Sequence, residues 1–347
     1  MSRLAAINTA LVLLAIAMTT GACKRQAAVP DPQPGVYYWR TTLSLDSTEL
    51  RFLADHRIGK MYVRYFDVAL RDGRPMPNAT LQFNEPIPAG VEIIPTVFIM
   101  ENCITTDSDA IQMADLLVKR VLQMNETNDV PGVKELQIDC DWTERSQRAY
   151  FALLRQARQL LRDHGMRLSA TIRLHQLRMT PPPVDYGVLM VYNTGLVSAM
   201  NGRNPILDAR DVEPYLDDVG GYDLPLCAAY PDFGWQVLSG TQGFKAILYE
   251  EDLADSSVYR QVDSTHWVAI SSRDIPTLSD DGSQATWVLT GDSVTLYLPA
   301  AELIVGTARA LQQRRPGINS QVVLYNLNSS NIKLYYSNHY ETLFHLH

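Results

Sequence analysis

In the run Leu136-Gln-Ile-Asp-Cys-Asp-Trp142 two aspartates are separated by a single residue, and Glu144 follows two positions later. Carboxylates this close push their pKa values apart, so one stays protonated as an acid while the other keeps its charge. Asp139 and Asp141 therefore read as one half of an acid–base site, with Glu144 as a third member. Alternation along an extended strand puts Leu136, Ile138 and Cys140 on one face and Gln137, Asp139 and Asp141 on the other. Carboxylates turned into a protein are costly unless they are paired or functional. A structural ion-pair network with Arg64 and Arg173 is thus a competing reading. A divalent-cation site is a weaker one, because His175 is the only further ligand nearby; no metal and no cofactor is expected.

Further polar and aromatic groups stand at the ends of other apolar runs. They are Trp39, Tyr65, Glu101, Arg173, Tyr192, Asn193, Tyr230, Asp232, Trp235 and Asn326. Aromatic rings stack on the C–H-rich faces of sugars, while Asp, Asn and Arg satisfy hydroxyls. A concave mouth lined by both is a carbohydrate pocket, although any one of these aromatics taken alone reads as core. There is no Gly-x-Ser-x-Gly elbow, and no serine or cysteine has a histidine signature beside it. His164 and His175 read as helix-end or surface residues.

The elements that must position these groups alternate between short apolar runs and helical patterns. Strands are expected at 36–40, 60–67, 92–99, 135–142, 167–173, 187–193, 224–230 and 321–326. Helices are expected at 47–57 with Ser47 as N-cap, 107–124, 144–164 closed by Gly165, and 303–313. Eight strand units at this length predict an α/β (β/α)8 barrel, with active groups at the C-terminal strand ends. Residues 69–91 and 174–185 are poor in helix, so the barrel is expected to be irregular. A doubly wound open sheet is the alternative, but no Gly-rich phosphate loop follows the first strand. Between the seventh and eighth strands, strand-like runs and Asp-Gly or Gly-Asp turns predict a small antiparallel insertion at about 240–297. The barrel domain then spans 35–347.

The N-terminus reads as an export signal. Arg3 precedes a short apolar stretch from Ala10 to Met18, and Thr20-Gly-Ala-Cys23 ends it in a lipid-accepting cysteine. That stretch is shorter than the ~20 residues a bilayer span needs. Residues 1–22 are taken as a lipoprotein signal peptide and 23–34 as a polar, Pro-rich tether. The expectation is a protein on the exported side of a cell or outer membrane, held by acyl chains on Cys23. Asn78-Ala-Thr80 and Asn125-Glu-Thr127 match a glycosylation sequon and are taken as chance beside a bacterial signal. A net charge of −8 without a cationic block argues against nucleic-acid binding. Cys103, Cys140 and Cys227 cannot all pair, and no zinc spacing is present.

These segments together resemble the chitinase-type glycoside hydrolases. The resemblance lies in 136–144, 168–173, Gly187-Val-Leu-Met-Val-Tyr-Asn193 and 225–234. In that family an Asp-x-x-Asp-x-Asp-x-Glu strand carries the acid and a Met-x-Tyr strand helps hold the substrate acetamido group. The resemblance implies that Asp139 and Asp141 match the last two aspartates and that Met190 and Tyr192 match the Met-x-Tyr pair. Leu136 replaces the first aspartate and Thr143 stands at the acid position, with Glu144 one residue late. The chain is also similar to bacterial lipoproteins of unassigned activity that carry this Gln-Ile-Asp-x-Asp strand. Three functions follow: a glycoside hydrolase acting on a polysaccharide, a carbohydrate-binding barrel without catalysis, and a scaffold that meets cell-envelope proteins through its insertion.

Overall fold

The computed structural model describes residues 28–199, 202–249, 251–276 and 285–346. The expected signal segment, residues 1–22, and Cys23 lie outside them. Eight parallel strands close into a barrel: β1 (Gly35–Tyr38), β2 (Lys60–Arg71), β3 (Glu92–Ile99), β4 (Glu135–Asp139), β5 (Arg167–Ile172), β6 (Tyr186–Met190), β7 (Leu226–Pro231) and β8 (Val322–Tyr325). Gly35 of β1 pairs with both Lys60 of β2 and Val323 of β8, which seals the cylinder. The expected strands are all present in the expected order, and the open-sheet alternative is excluded.

Helices α1 (Ser47–Asp55), α2 (Asp107–Thr127) and α3 (Gln147–Asp163) cover β1 to β5. The short α4 (Ala209–Val212) and α5 (Leu216–Gly221) precede β7, and α6 (Ala301–Arg314) precedes β8. The chain closes with α7 (Ser329–Ile332) and α8 (Ser337–Phe344). Between β2 and β3 the chain returns as an antiparallel strand, Arg74–Asn78, and between β5 and β6 it makes only a 3-10 turn, Leu174–Arg178. Two helix starts differ from expectation. Asp46, not Ser47, caps α1: its side chain accepts from the N–H groups of Thr48 and Glu49, and Glu49 returns a bond to its backbone. Helix α3 begins at Gln147 rather than Glu144, because Thr143 and Ser146 form a turn in which the Ser146 hydroxyl accepts the Thr143 N–H.

Directly after β7 the chain enters the antiparallel insertion. Its five strands run in the order Gly243–Leu248, Trp235–Gly240, Ser293–Tyr297, His266–Ala269, Tyr259–Gln261, with a further hairpin of Arg273–Pro276 and Ala285–Val288. The first strand therefore starts at Trp235, ahead of residue 240. Burial follows the β4 alternation: Leu136, Ile138 and Cys140 pack in the layer under the helices, with Leu153, Leu154 and Ala157 of α3.

The barrel interior is filled, and much of the filling is polar. Lys60 Nζ donates to Gln321 Oε1 at 3.0 Å, and Gln321 Nε2 donates to the Tyr62 hydroxyl at 2.8 Å. Tyr62 meets the Tyr186 hydroxyl at 2.7 Å, and Tyr186 donates to Glu135 at 2.7 Å. Ser169 also donates to Glu135, at 2.6 Å, and Tyr37 donates to Gln137 at 2.8 Å. The lower inward residues of β4 thus belong to an internal polar network, in which Glu135 Oε2 is the atom left without a hydrogen-bond partner among the described residues. Cys103, Cys140 and Cys227 are buried free thiols.

Candidate functional site at the barrel mouth

Above that network, the top of β4 meets the top of β5. Asp139 is only 3% exposed; it accepts from the Thr171 hydroxyl at 2.6 Å and from Arg173 Nη2 at 3.0 Å. The Asp141 side chain is 58% exposed and accepts from Arg173 Nε. Arg173 is one-fifth exposed and also touches the Met190 sulfur. Burial by itself would lower its pKa, but the carboxylates of Asp139 and Asp141 outweigh that and hold it above the ordinary value. One guanidinium thus clamps both aspartates. Arg64, the other cation proposed as their partner, pairs with Asp67 on its own strand and lies 5.8 Å over the Trp39 ring.

An aromatic wall faces this clamp. Tyr192 stacks on Tyr325 with ring centroids 4.7 Å apart and meets Phe233 edge-on at 6.2 Å. Trp39 lies 5.9 Å from both Tyr37 and Tyr325, and Trp235 lies 5.7 Å from Phe233. The Tyr192 hydroxyl is buried with no hydrogen-bond partner among the described residues, and burial raises its pKa. Its charged neighbours are Arg173 and Asp139. An orphaned hydroxyl beside a half-buried ion pair is where a ligand hydroxyl or a water would bind.

Not every candidate comes to the mouth. Tyr65 points into the helix layer, donates to Asn125 at 2.7 Å and packs on Phe83. Alternation from inward Tyr62 turns Tyr65 outward, and a register shift in β2 between Arg64 and Phe66 turns Phe66 to the same outer side. Tyr230 is also outward and donates to Asn319 at 2.7 Å; strict alternation from inward Cys227 and Ala229 would have placed it there. Asp232 is buried against the C-terminal helix, accepts from the Tyr340 hydroxyl at 2.8 Å, and burial pushes its pKa up to about 8. Asn193 is exposed in a left-handed conformation. Tyr37 and Tyr325 join the wall without having been singled out, although alternation from Trp39 and from Gln321 and Val323 would have found them.

Glu144 is exposed and lines an open cleft of about 770 Å3 with Thr143, Arg145, His175, Arg178 and Met179. Thr143 directs its hydroxyl to Glu101 at 2.5 Å, and Ser146 does the same at 2.7 Å. Those bonds, the Thr143 one foremost, hold the Glu101 carboxyl below its ordinary range. Glu101 thereby ties the end of β3 to the turn before α3. Among the described residues no cluster of His, Cys, Asp and Glu is arranged to hold a metal ion.

With this geometry in place, the fold can be compared with solved structures. The barrel is shared with chitinases and a spore cortex-lytic enzyme. The C-terminal domain of a candidate chitinase from Desulfitobacterium hafniense superposes with a TM-score of 0.55 at 11% identity, over 91% of this chain and 98% of that one. The spore cortex-lytic enzyme SleL of Bacillus cereus gives 0.53 at 14% identity, over 90% and 73%. Catalytic domain 2 of the Ostrinia furnacalis Group II chitinase gives 0.50 at 11%, over 90% and 96%. No protein-family model matches the chain, and no curated protein matches its sequence. At these identities the likeness concerns the fold.

Proposed function

We propose that this protein is a lipid-anchored, carbohydrate-binding barrel on a glycoside-hydrolase scaffold, exported to the membrane surface through acylation of Cys23. The observation that carries the binding reading is the aromatic wall of Trp39, Tyr192, Phe233, Trp235 and Tyr325 around the orphaned Tyr192 hydroxyl. Flat rings supply stacking faces, and Arg173, Asp141 and Tyr192 supply polar contacts at its edge. The solved neighbours include chitinases, one of them bound to an N-acetylglucosamine oligomer, which supports an oligosaccharide as the ligand.

Catalysis fits less well. The position of the family acid is Thr143, and its hydroxyl is occupied by Glu101. The inner aspartate is neutralised by Arg173. One arrangement favours the hydrolytic reading: the Asp141 side chain is exposed, and Glu144 lines an open cleft. The test uses the full-length acylated protein with chitin oligomers and with peptidoglycan. Saturable binding that Trp39→Ala abolishes, without release of reducing ends, is expected. Release of reducing ends that disappears in Asp141→Asn would establish hydrolysis instead.

A further inference from the structure

The segment leading into the barrel is not a free tether along its whole length. Val29 is 4% exposed and packs in the interior cluster with Tyr37, Tyr62 and Val323. The Gln33 N–H donates to Gln321 Oε1 at 3.4 Å. The Pro34 carbonyl accepts the N–H groups of Gly59 and Lys60 at 3.0 and 3.2 Å. Gly59, Lys60 and Gln321 stand at the N-terminal ends of β2 and β8. Residues 29–34 therefore close the bottom of the cylinder, opposite the mouth that holds Asp139 and Asp141. Five residues separate Cys23 from Val29, a fully extended reach of about 20 Å. A domain of this size is roughly 50 Å across. Beside the plug lies an open groove of about 450 Å3 lined in part by Gln33, Leu50, Ala54, Pro88 and Ala89, with Arg57 as its only charged residue. Leu50 is 45% exposed there.

We propose that the bottom of the barrel, with this groove, rests against the lipid bilayer, so that the mouth is presented away from the membrane. The proposal rests on the lipid-anchor reading above. So short a link cannot bring the opposite face of the domain down to the lipid that holds Cys23. Apolar lining with a single cation suits the headgroup and upper acyl region of a bilayer. The glycan that enters the mouth is then a polymer or soluble chain approached from the aqueous side. A glycan headgroup in the same bilayer would be out of reach.

The test places one fluorophore on the acylated full-length protein in phosphatidylcholine and phosphatidylglycerol vesicles, through Ala89→Cys at the bottom or Phe244→Cys on the insertion. The remaining thiols Cys103, Cys140 and Cys227 are buried. Nitroxide-headgroup lipid is expected to quench the Ala89 label several-fold more than the Phe244 label. Equal quenching, or stronger quenching at Phe244, in protein that floats with the vesicles overturns the orientation and leaves the anchor. Protein that fails to float overturns the anchor, and the orientation with it.

Discussion

Arg173 is the residue on which the mouth turns. It neutralises a buried aspartate and an exposed one, so the inner pair is a structural element as well as part of the candidate site. Removing one partner of a buried pair leaves an uncompensated charge, which costs several kcal/mol. Arg173→Met is expected to lower unfolding stability by about 3 kcal/mol, and Asp139→Asn in the same chain to recover most of that, read from urea midpoints. Tyr192 is the opposite case. Its hydroxyl has no hydrogen-bond partner among the described residues, so Tyr192→Phe should leave stability within about 0.5 kcal/mol of the parent. Glycan affinity should fall about fivefold, by titration calorimetry, as one ligand hydrogen bond of about 1 kcal/mol is lost. A drop in stability with unaltered affinity would remove Tyr192 from the site.

The elements differ in how directly their residues announce them. Strand β4 is legible because Leu136, Ile138 and Cys140 alternate with polar neighbours, and that pattern has one solution in a barrel wall. Strand β2 is legible only as far as Tyr65, because its register shift between Arg64 and Phe66 breaks alternation and turns Phe66 outward as well. Helix α8 is held by a contact far off in sequence, the Tyr340 hydroxyl on Asp232. Because the folded pKa of Asp232 lies above the unfolded carboxylate value of about 4, the neutral acid's contribution is full below pH 4. It declines as the pH rises and is gone above about pH 8. Asp232→Asn should flatten the fall in stability between pH 4 and pH 8, monitored by denaturant melts across that range. A slope identical in parent and variant would assign the pH dependence to other groups.

On the scale of the whole molecule, the barrel separates a closed bottom, where the chain enters, from an open aromatic mouth walled by the insertion. Among the described residues no helix is long and apolar enough to cross a membrane; the attachment we propose runs through acylated Cys23. Cys23→Ser is expected to move the protein from the membrane fraction to the soluble fraction without altering its melting temperature. Retention in the membrane would refute the anchor. The order and number of strands, the helix-poor crossovers and the inward face of β4 were determined by the sequence itself, because period-2 and period-3.6 patterning is a local property of the chain. The clamp of Arg173 on two aspartates, the diversion of Thr143 to Glu101, the outward turn of Phe66 at the β2 register shift and the plug at Val29 were decided only by tertiary structure. Each joins residues from separate elements, and which partner a charged or aromatic side chain meets depends on strand register and barrel closure rather than on its neighbours in sequence.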